Sequence, residues 1–178
     1  MAEKRYDFSQ VSILLVDDSR YYRQIVAQLC RNFGFRSVYE AANGKAALDM
    51  LAQVPIDIVL CDWIMRPMNG LELTRQIRGF KDAAAAMVPI LVLTGSTEQA
   101  NVLAARDTGA TEFLVKPISS ATLLTRLIHI VEEPRSFIRK DGFFGPDRRR
   151  HAETEPPAEG ERRGVDDTST KTETGEKP

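Results

Sequence analysis

The sequence of 178 residues predicts an α/β protein built on a doubly wound parallel sheet. Two observations lead to this fold class. Short apolar runs recur along the first 133 residues, as is typical of strands that are buried on both faces of a parallel sheet. Segments with the apolar period of amphipathic helices alternate with these runs. Five strands alternating with five helices indicate a (βα)₅ arrangement.

The predicted strands cover residues 11–16, 37–41, 56–61, 90–93 and 113–115. The first predicted helix is marked by apolar side chains at helical spacing, namely Ile25, Val26, Leu29, Cys30 and Phe33. Gly34 ends this helix. The remaining helices are predicted at residues 43–53, 70–78, 98–108 and 119–132. Gly109 and Pro134 are natural stops for the last two.

Charge divides the chain beyond residue 133. The 24 basic and 25 acidic residues nearly cancel, which argues against a nucleic-acid-binding surface over the whole chain. Residues 134–150 hold six basic and two acidic residues among several aromatics, whereas residues 151–178 hold four basic and eight acidic residues. The last segment is too poor in apolar residues to fold. We therefore predict a globular domain at 9–133, a basic and aromatic extension at 134–150 and a disordered acidic tail at 151–178.

Several classes of protein are excluded by what the sequence lacks. Its apolar runs are too short to span a membrane, and its charged N-terminus does not look like a secretory signal. Cys30 and Cys61 have no metal-site or disulfide-framework spacing, and we expect both to be buried thiols. No second pair of amphipathic helices follows residue 133, so a helix-turn-helix is not expected. We predict a cytoplasmic protein without membrane insertion and without DNA as a partner.

Polar side chains follow the predicted strands at the points where they end. Asp17 and Asp18 come after the first strand, Asp62 after the third, Thr94 after the fourth and Lys116 after the fifth. In a sheet with the flavodoxin-like order 2-1-3-4-5, the first and third strands are neighbours at the topological switch point, where ligands bind. The three carboxylates are therefore expected to converge in one crevice.

This set of groups suits phosphoryl chemistry. Carboxylates held close together repel one another, and a divalent cation relieves that repulsion. Oxygen ligands with room for water favour Mg²⁺. A carboxylate beside the ion can act as a nucleophile on phosphorus, and Lys116 would supply a positive charge for the phosphoryl oxygens.

Four motifs stand at these strand ends: Val-Asp17-Asp18-Ser, Cys-Asp62-Trp-Ile-Met-Arg-Pro-Met-Asn-Gly70, Leu-Thr94-Gly-Ser and Val-Lys116-Pro117. Together they resemble the receiver domain of two-component response regulators, the CheY-like family, over residues 9–133. One departure is visible, because the family usually has Met-Pro after the phosphorylated aspartate and this chain has Met65-Arg66-Pro67.

The resemblance implies a role for each matching residue. Asp62 would accept a phosphoryl group from a histidine kinase or a phosphotransfer protein. The Mg²⁺ ligands would be the carboxylates of Asp17, Asp18 and Asp62 and the backbone carbonyl of Ile64. Thr94 and Lys116 would contact the phosphoryl group, and the switch would involve Thr94, Phe113 and Pro117. A cis peptide bond is expected between Lys116 and Pro117.

The resulting hypothesis is a signalling switch that is not an enzyme. Its output would be protein contacts with an unknown downstream protein target, and the resemblance also allows for a homodimer. One alternative is a phosphohydrolase that also uses an aspartyl phosphate, although those enzymes carry an Asp-x-Asp pair where this chain has adjacent aspartates. A second is a phosphorylation-independent binding module, in which the arginine-rich extension binds an acidic partner or cyclic di-GMP.

Overall fold

The computed structural model describes residues 6–95, 107–140 and 142–147. Five parallel strands form one sheet: β1 (Ser12–Val16), β2 (Ser37–Ala41), β3 (Ile58–Asp62), β4 (Ile90–Thr94) and β5 (Glu112–Val115). Their spatial order is β2-β1-β3-β4-β5, which confirms the predicted flavodoxin-like topology. The third and fourth strands each run one residue further than predicted, so that Asp62 and Thr94 are themselves the last residues of their strands.

The described helices are α1 (Arg20–Asn32), α2 (Gly44–Leu51), α3 (Gly70–Arg78), α4 (Ala83–Ala86) and α5 (Ser120–Glu132). Each begins after a polar residue whose side chain accepts backbone hydrogen bonds, namely Ser19, Asn43, Asn69, Asp82 and Ser119. We did not predict α4, which consists of four alanines after the Asp82 cap. Most of the helix predicted at 98–108, and the whole acidic tail predicted at 151–178, lie outside the described residues.

The hydrophobic core lies on both faces of the sheet. On one face, Ile13 and Leu15 of β1 pack in a cluster with residues of α1 and α5. On the other face, Leu14 and Val16 pack in a cluster with residues of α2 and α3. Every residue of β3 and β4 is buried, because helices cover both sides of these central strands. This explains why the strands appear in the sequence as continuous apolar runs.

A second, two-stranded sheet follows α5. It is an antiparallel hairpin of β6 (Phe137–Lys140) and β7 (Phe143–Pro146), in which Phe137 faces Pro146 and Arg139 faces Phe144. We did not predict these strands. The hairpin belongs to the same compact unit as the sheet, and this unit ends at Asp147. The arginine cluster at residues 148–150 lies outside the described residues. Within the part of the chain that is described, no helix is long and apolar enough to cross a membrane.

Candidate phosphorylation site

The carboxyl ends of the parallel strands bring the predicted site residues together. The backbone amide of Trp63, next to Asp62, donates to the Leu93 carbonyl at 2.8 Å, and the amide of Lys116 donates to the Thr94 carbonyl at 2.7 Å. These bonds extend the hydrogen bonding of the sheet beyond β3 and β5. They hold the carboxyl ends of β3, β4 and β5 side by side. The sheet, not a flexible loop, therefore positions Asp62, Thr94 and Lys116.

The three predicted metal-ligating carboxylates form a cluster. One oxygen from each of Asp17, Asp18 and Asp62 lies within 4.8 Å of the other two. Asp17 and Asp62 are buried, and Asp18 is exposed. The backbone amide of Ser19 donates to Asp17 Oδ1 at 2.8 Å and orients that carboxylate. An all-oxygen donor set with one side open to water fits Mg²⁺, which keeps several water ligands in proteins.

Lys116 lies between the two buried carboxylates. Its Nζ is 2.8 Å from Asp62 Oδ1 and 3.1 Å from Asp17 Oδ2. The same ammonium lies 4.1 Å from the centre of the Tyr22 ring, in a cation–π contact. Lys116 is therefore held by three side chains, which come from the end of β3, the loop after β1 and α1. Tyr22 was missed by the sequence reasoning, which considered only the residues directly after each strand.

Burial and charge act in opposite directions on the titration of this pair. Burial raises the pKa of Asp62, and the hydrogen bond and charge of Lys116 only partly offset that effect. Burial also acts to lower the pKa of Lys116, but its hydrogen bonds and charge interactions with Asp62 and Asp17 outweigh burial and raise the pKa overall. Lys116 consequently remains a cation at neutral pH, paired with the carboxylate of Asp62.

The N-terminus of α3 packs against the backbone of Asp62. A Cβ atom on Gly70 would overlap the carbonyl oxygen of Asp62 and lie 3.1 Å from Trp63 Cα. The Gly70 amide donates to the Trp63 carbonyl at 2.8 Å, and Asn69 and Glu72 form a capping box that fixes the first turn. Only glycine permits this close approach of α3 to the backbone of Asp62.

The other predicted site residues occupy varied surroundings. Ile64, whose backbone carbonyl we predicted as a metal ligand, is a residue that is 72 % exposed. Phe113 is half-buried on β5 and packs against the cluster on the α2 and α3 side. The Lys116–Pro117 peptide bond is cis, as predicted, and the Arg66–Pro67 bond in the loop after Asp62 is also cis. The metal role of Ile64 and the switch roles of Phe113 and Pro117 remain predictions.

The two cysteines lie outside the carboxylate cluster. Both are free and buried, as predicted. Burial raises the pKa of each thiol, so neither forms a thiolate at neutral pH. Cys61 precedes Asp62 on β3, and its thiol donates to the Asp62 carbonyl at 3.1 Å.

Comparison with known proteins decides the family. The profile of the response regulator receiver domain matches residues 13–128. The chain belongs to the receiver domain family. The matched span includes the carboxylate cluster and the whole parallel sheet except Ser12, the first residue of β1.

The receiver domain is similar to chemotaxis proteins along nearly their whole length. It is 36% identical over 122 residues to chemotaxis protein CheY-3 of Vibrio cholerae, covering 68% of this chain and 92% of that protein. It is 32% identical to the CheY of Pseudomonas aeruginosa, covering 68% of this chain and 97% of that protein. The solved structure of CheY4 from Vibrio cholerae superposes with a TM-score of 0.63 at 32% identity, covering 67% of this chain and 98% of that chain.

Proposed function

We propose that this receiver domain is a phosphorylation-activated switch and that Asp62 is its phosphoacceptor. Receiver domains of this family are signalling proteins, which supports a switch over an enzyme. The observation that carries the assignment to Asp62 is the 2.8 Å contact between its Oδ1 and the Lys116 ammonium, inside a cluster of three carboxylates. The donor would be a phosphohistidine on a histidine kinase or a phosphotransfer protein.

The proposed phosphoryl transfer forms one bond to Asp62 and breaks one bond in the donor. A carboxylate oxygen of Asp62 attacks phosphorus, the P–N bond of the phosphohistidine breaks, and its electron pair returns to the imidazole nitrogen. The product is an acyl phosphate on Asp62. Lys116, already a cation beside this carboxylate, then binds a phosphoryl oxygen and stabilises the added negative charge. The Thr94 hydroxyl, at the end of the neighbouring strand, is proposed as a further hydrogen-bond donor to the phosphoryl group.

Receiver domains usually bind Mg²⁺ at an acidic pocket, and the donor set of this one fits that ion. We propose that the carboxylates of Asp17, Asp18 and Asp62 and the carbonyl of Ile64 hold it. When bound, the ion supplies positive charge that relieves the repulsion between the carboxylates and the incoming phosphoryl group.

The switch itself is proposed to involve Thr94, Phe113 and Pro117. Movement of Thr94 toward the phosphoryl group would change the packing of Phe113 on β5, and so alter the surface that a downstream protein target contacts. The output would be protein contacts, including a homodimer as one form, and not DNA binding.

Acyl phosphate formation tests the proposal. The full chain is incubated with acetyl phosphate and Mg²⁺, and its intact mass is measured. We expect the gain of one phosphoryl group in the wild type, no gain in Asp62→Asn, and a normal gain in Asp49→Asn, which removes an exposed carboxylate of α2 that binds only Lys45 among the described residues. Equal labelling of wild type and Asp62→Asn would show that another residue is the acceptor.

A further inference from the structure

The helix α3 joins the candidate phosphorylation site to the C-terminal hairpin. Its first residue, Gly70, packs on the backbone of Asp62. Its last residue, Arg78, places its guanidinium 4.9 Å from the centre of the Phe137 ring on β6. A helix of nine residues is about 13 Å long. One short, rigid element therefore contacts the site at one end and the hairpin at the other.

Arg78 is a buried anchor at this junction, because only 6 % of it is exposed. Its Nε donates to the Gly109 carbonyl at 2.9 Å, and its Nη1 donates to the carbonyls of Ala86 and Val88 at 2.7 and 2.8 Å. Three segments thus meet at the Arg78 side chain. They are the end of α4 with the residues just after it, the turn before β5, and the hairpin. Arg78 therefore links these three segments through direct contacts.

The hairpin packs against the turn before β5 through two glycines. A Cβ atom on Gly145 would lie 2.8 Å from Gly109 Cα and 2.7 Å from Phe143 Cζ. A Cβ atom on Gly109 would lie 2.8 Å from the Phe144 carbonyl, and Gly109 itself has a φ of +93°. Neither position has room for a side chain, so the contact depends on β7 lying directly on this turn.

The strand β5 makes a second connection between the same two regions. Lys116, which follows its carboxyl end, binds the site carboxylates. Glu112, which begins it, is buried and accepts from Arg135 at 2.7 Å, two residues before β6. Arg126 and His129 of α5 also lie within 3.5 Å of Glu112. The hairpin region is therefore linked to the last residue of α3 and to the first residue of β5. The opposite ends of α3 and β5 lie at the candidate phosphorylation site.

We propose that the hairpin is a regulatory brace that favours the unphosphorylated receiver domain. Its contacts are formed in the arrangement in which Lys116 binds the unmodified Asp62. On phosphorylation Lys116 would release the Asp62 carboxylate and bind a phosphoryl oxygen. This movement would alter the carboxyl end of β5 and the N-terminus of α3. Docking of the hairpin therefore opposes phosphorylation, and phosphorylation loosens the hairpin by the same factor. This inference rests on the proposed function of Asp62.

Two substitutions should undock the hairpin without touching the site. Gly145→Ala inserts a methyl group between β7 and Gly109, and Phe137→Ala removes the ring over Arg78. Matched controls lie in the same hairpin. Gly142→Asn changes a turn glycine whose Cβ would meet nothing within 4 Å, at a φ of +79° that asparagine tolerates, and Lys140→Ala changes an exposed side chain of β6.

The affinity of the full chain for beryllofluoride in the presence of Mg²⁺ measures the effect. We expect both undocking variants to bind it about fivefold more tightly than wild type, and both controls to stay within about twofold. A hairpin that merely stabilises the fold would give weaker or unchanged binding on undocking, and either result would overturn the proposal. Circular dichroism confirms that each variant is folded.

Hydrogen exchange of the wild type tests the reciprocal effect and needs no variant. With beryllofluoride as a mimic of the phosphoryl group, we expect faster exchange of the amides of β6 and β7 than without it, and unchanged exchange would contradict the brace. If the wild type forms no acyl phosphate at all, the proposed function fails. The link between the hairpin and the site is then tested separately by exchange at residues 63–70, which should quicken in Gly145→Ala and not in Gly142→Asn; equal exchange in the two variants would show that the link is absent.

Discussion

Replacing Arg78 by methionine should destabilise the receiver domain strongly. Methionine fills similar volume but donates no hydrogen bond, so the carbonyls of Gly109, Ala86 and Val88 would lose the Arg78 donor in the protein interior. Each buried acceptor left without a partner costs about 1–3 kcal/mol. The lost contact with the Phe137 ring adds about 0.5–2 kcal/mol. The variant no longer has to bury a charged guanidinium, and the desolvation cost that is avoided offsets part of this sum. We therefore expect a net loss of about 3–5 kcal/mol in the free energy of unfolding.

Urea denaturation at equilibrium measures this loss. The slope for a domain of this size is about 2 kcal/mol per molar urea, so the midpoint should fall by about 1.5–2.5 M. Arg75→Met is the control, because Arg75 is an exposed arginine one turn earlier on α3. A loss below about 1 kcal/mol in Arg78→Met, equal to that of the control, would refute the role of Arg78 as the buried anchor.

Three further predictions concern the site. Because burial raises the pKa of Asp62 in the folded state, the contribution of Asp62 to the free energy of unfolding should fall as pH rises above about 4. Asp62→Asn should therefore have the higher urea midpoint at pH 7.5 in EDTA, and a difference from wild type that persists unchanged at pH 4 would contradict this. Gly70→Ala should cost about 1–3 kcal/mol in urea and slow acyl phosphate formation, whereas Gly79→Ala, at the other end of α3 where a Cβ meets only ordinary contacts, should do neither. Tyr22→Leu should slow phosphorylation about two- to fivefold by releasing the Lys116 ammonium, and Tyr22→Phe, which keeps the ring, should react like wild type.

The parallel sheet could be predicted because its strands are buried on both faces. In β3 and β4 every residue is buried, so each strand appears as an unbroken apolar run that ends at a polar residue. That same rule located the site, since the polar residue ending each run lies at the carboxyl edge of the sheet. The convergence of Asp17, Asp18 and Asp62 follows from strand order alone and is present in the structure.

The hairpin and the contacts around it could not be found by the same rule. Its strands have four residues each and lie partly exposed, so they show neither an apolar run nor a regular alternation. The Asp-Gly pair at residues 141–142 is a hairpin turn signal that the sequence reasoning passed over. Arg78 gave no signal, because an arginine in the last turn of a helix is ordinarily a solvated cation near the helix dipole. The Phe137 ring, from a distant part of the chain, lies against its guanidinium.

The contact between Tyr22 and Lys116 could not be predicted from the sequence for a different reason. It is one of two adjacent tyrosines near the start of α1, and its neighbour Tyr21 is 75 % exposed. Which of the two faces Lys116 is set by the rotation of α1 about its axis after the Ser19 cap. A sequence pattern with one polar and one apolar face leaves that rotation uncertain by a residue, so the cation–π contact required the structure.

Locating the phosphoryl group within the chain tests the central claim most directly. The protein is phosphorylated by a histidine kinase or phosphotransfer protein of its host, and the acyl phosphate is reduced with borohydride, which converts a phosphorylated aspartate into homoserine. Peptide mass spectrometry then finds the modified position. We predict homoserine at position 62 in the wild type and none anywhere in Asp62→Asn. Homoserine at position 17 or 18, or at any other aspartate with position 62 intact, would contradict the assignment of Asp62 as the phosphoacceptor.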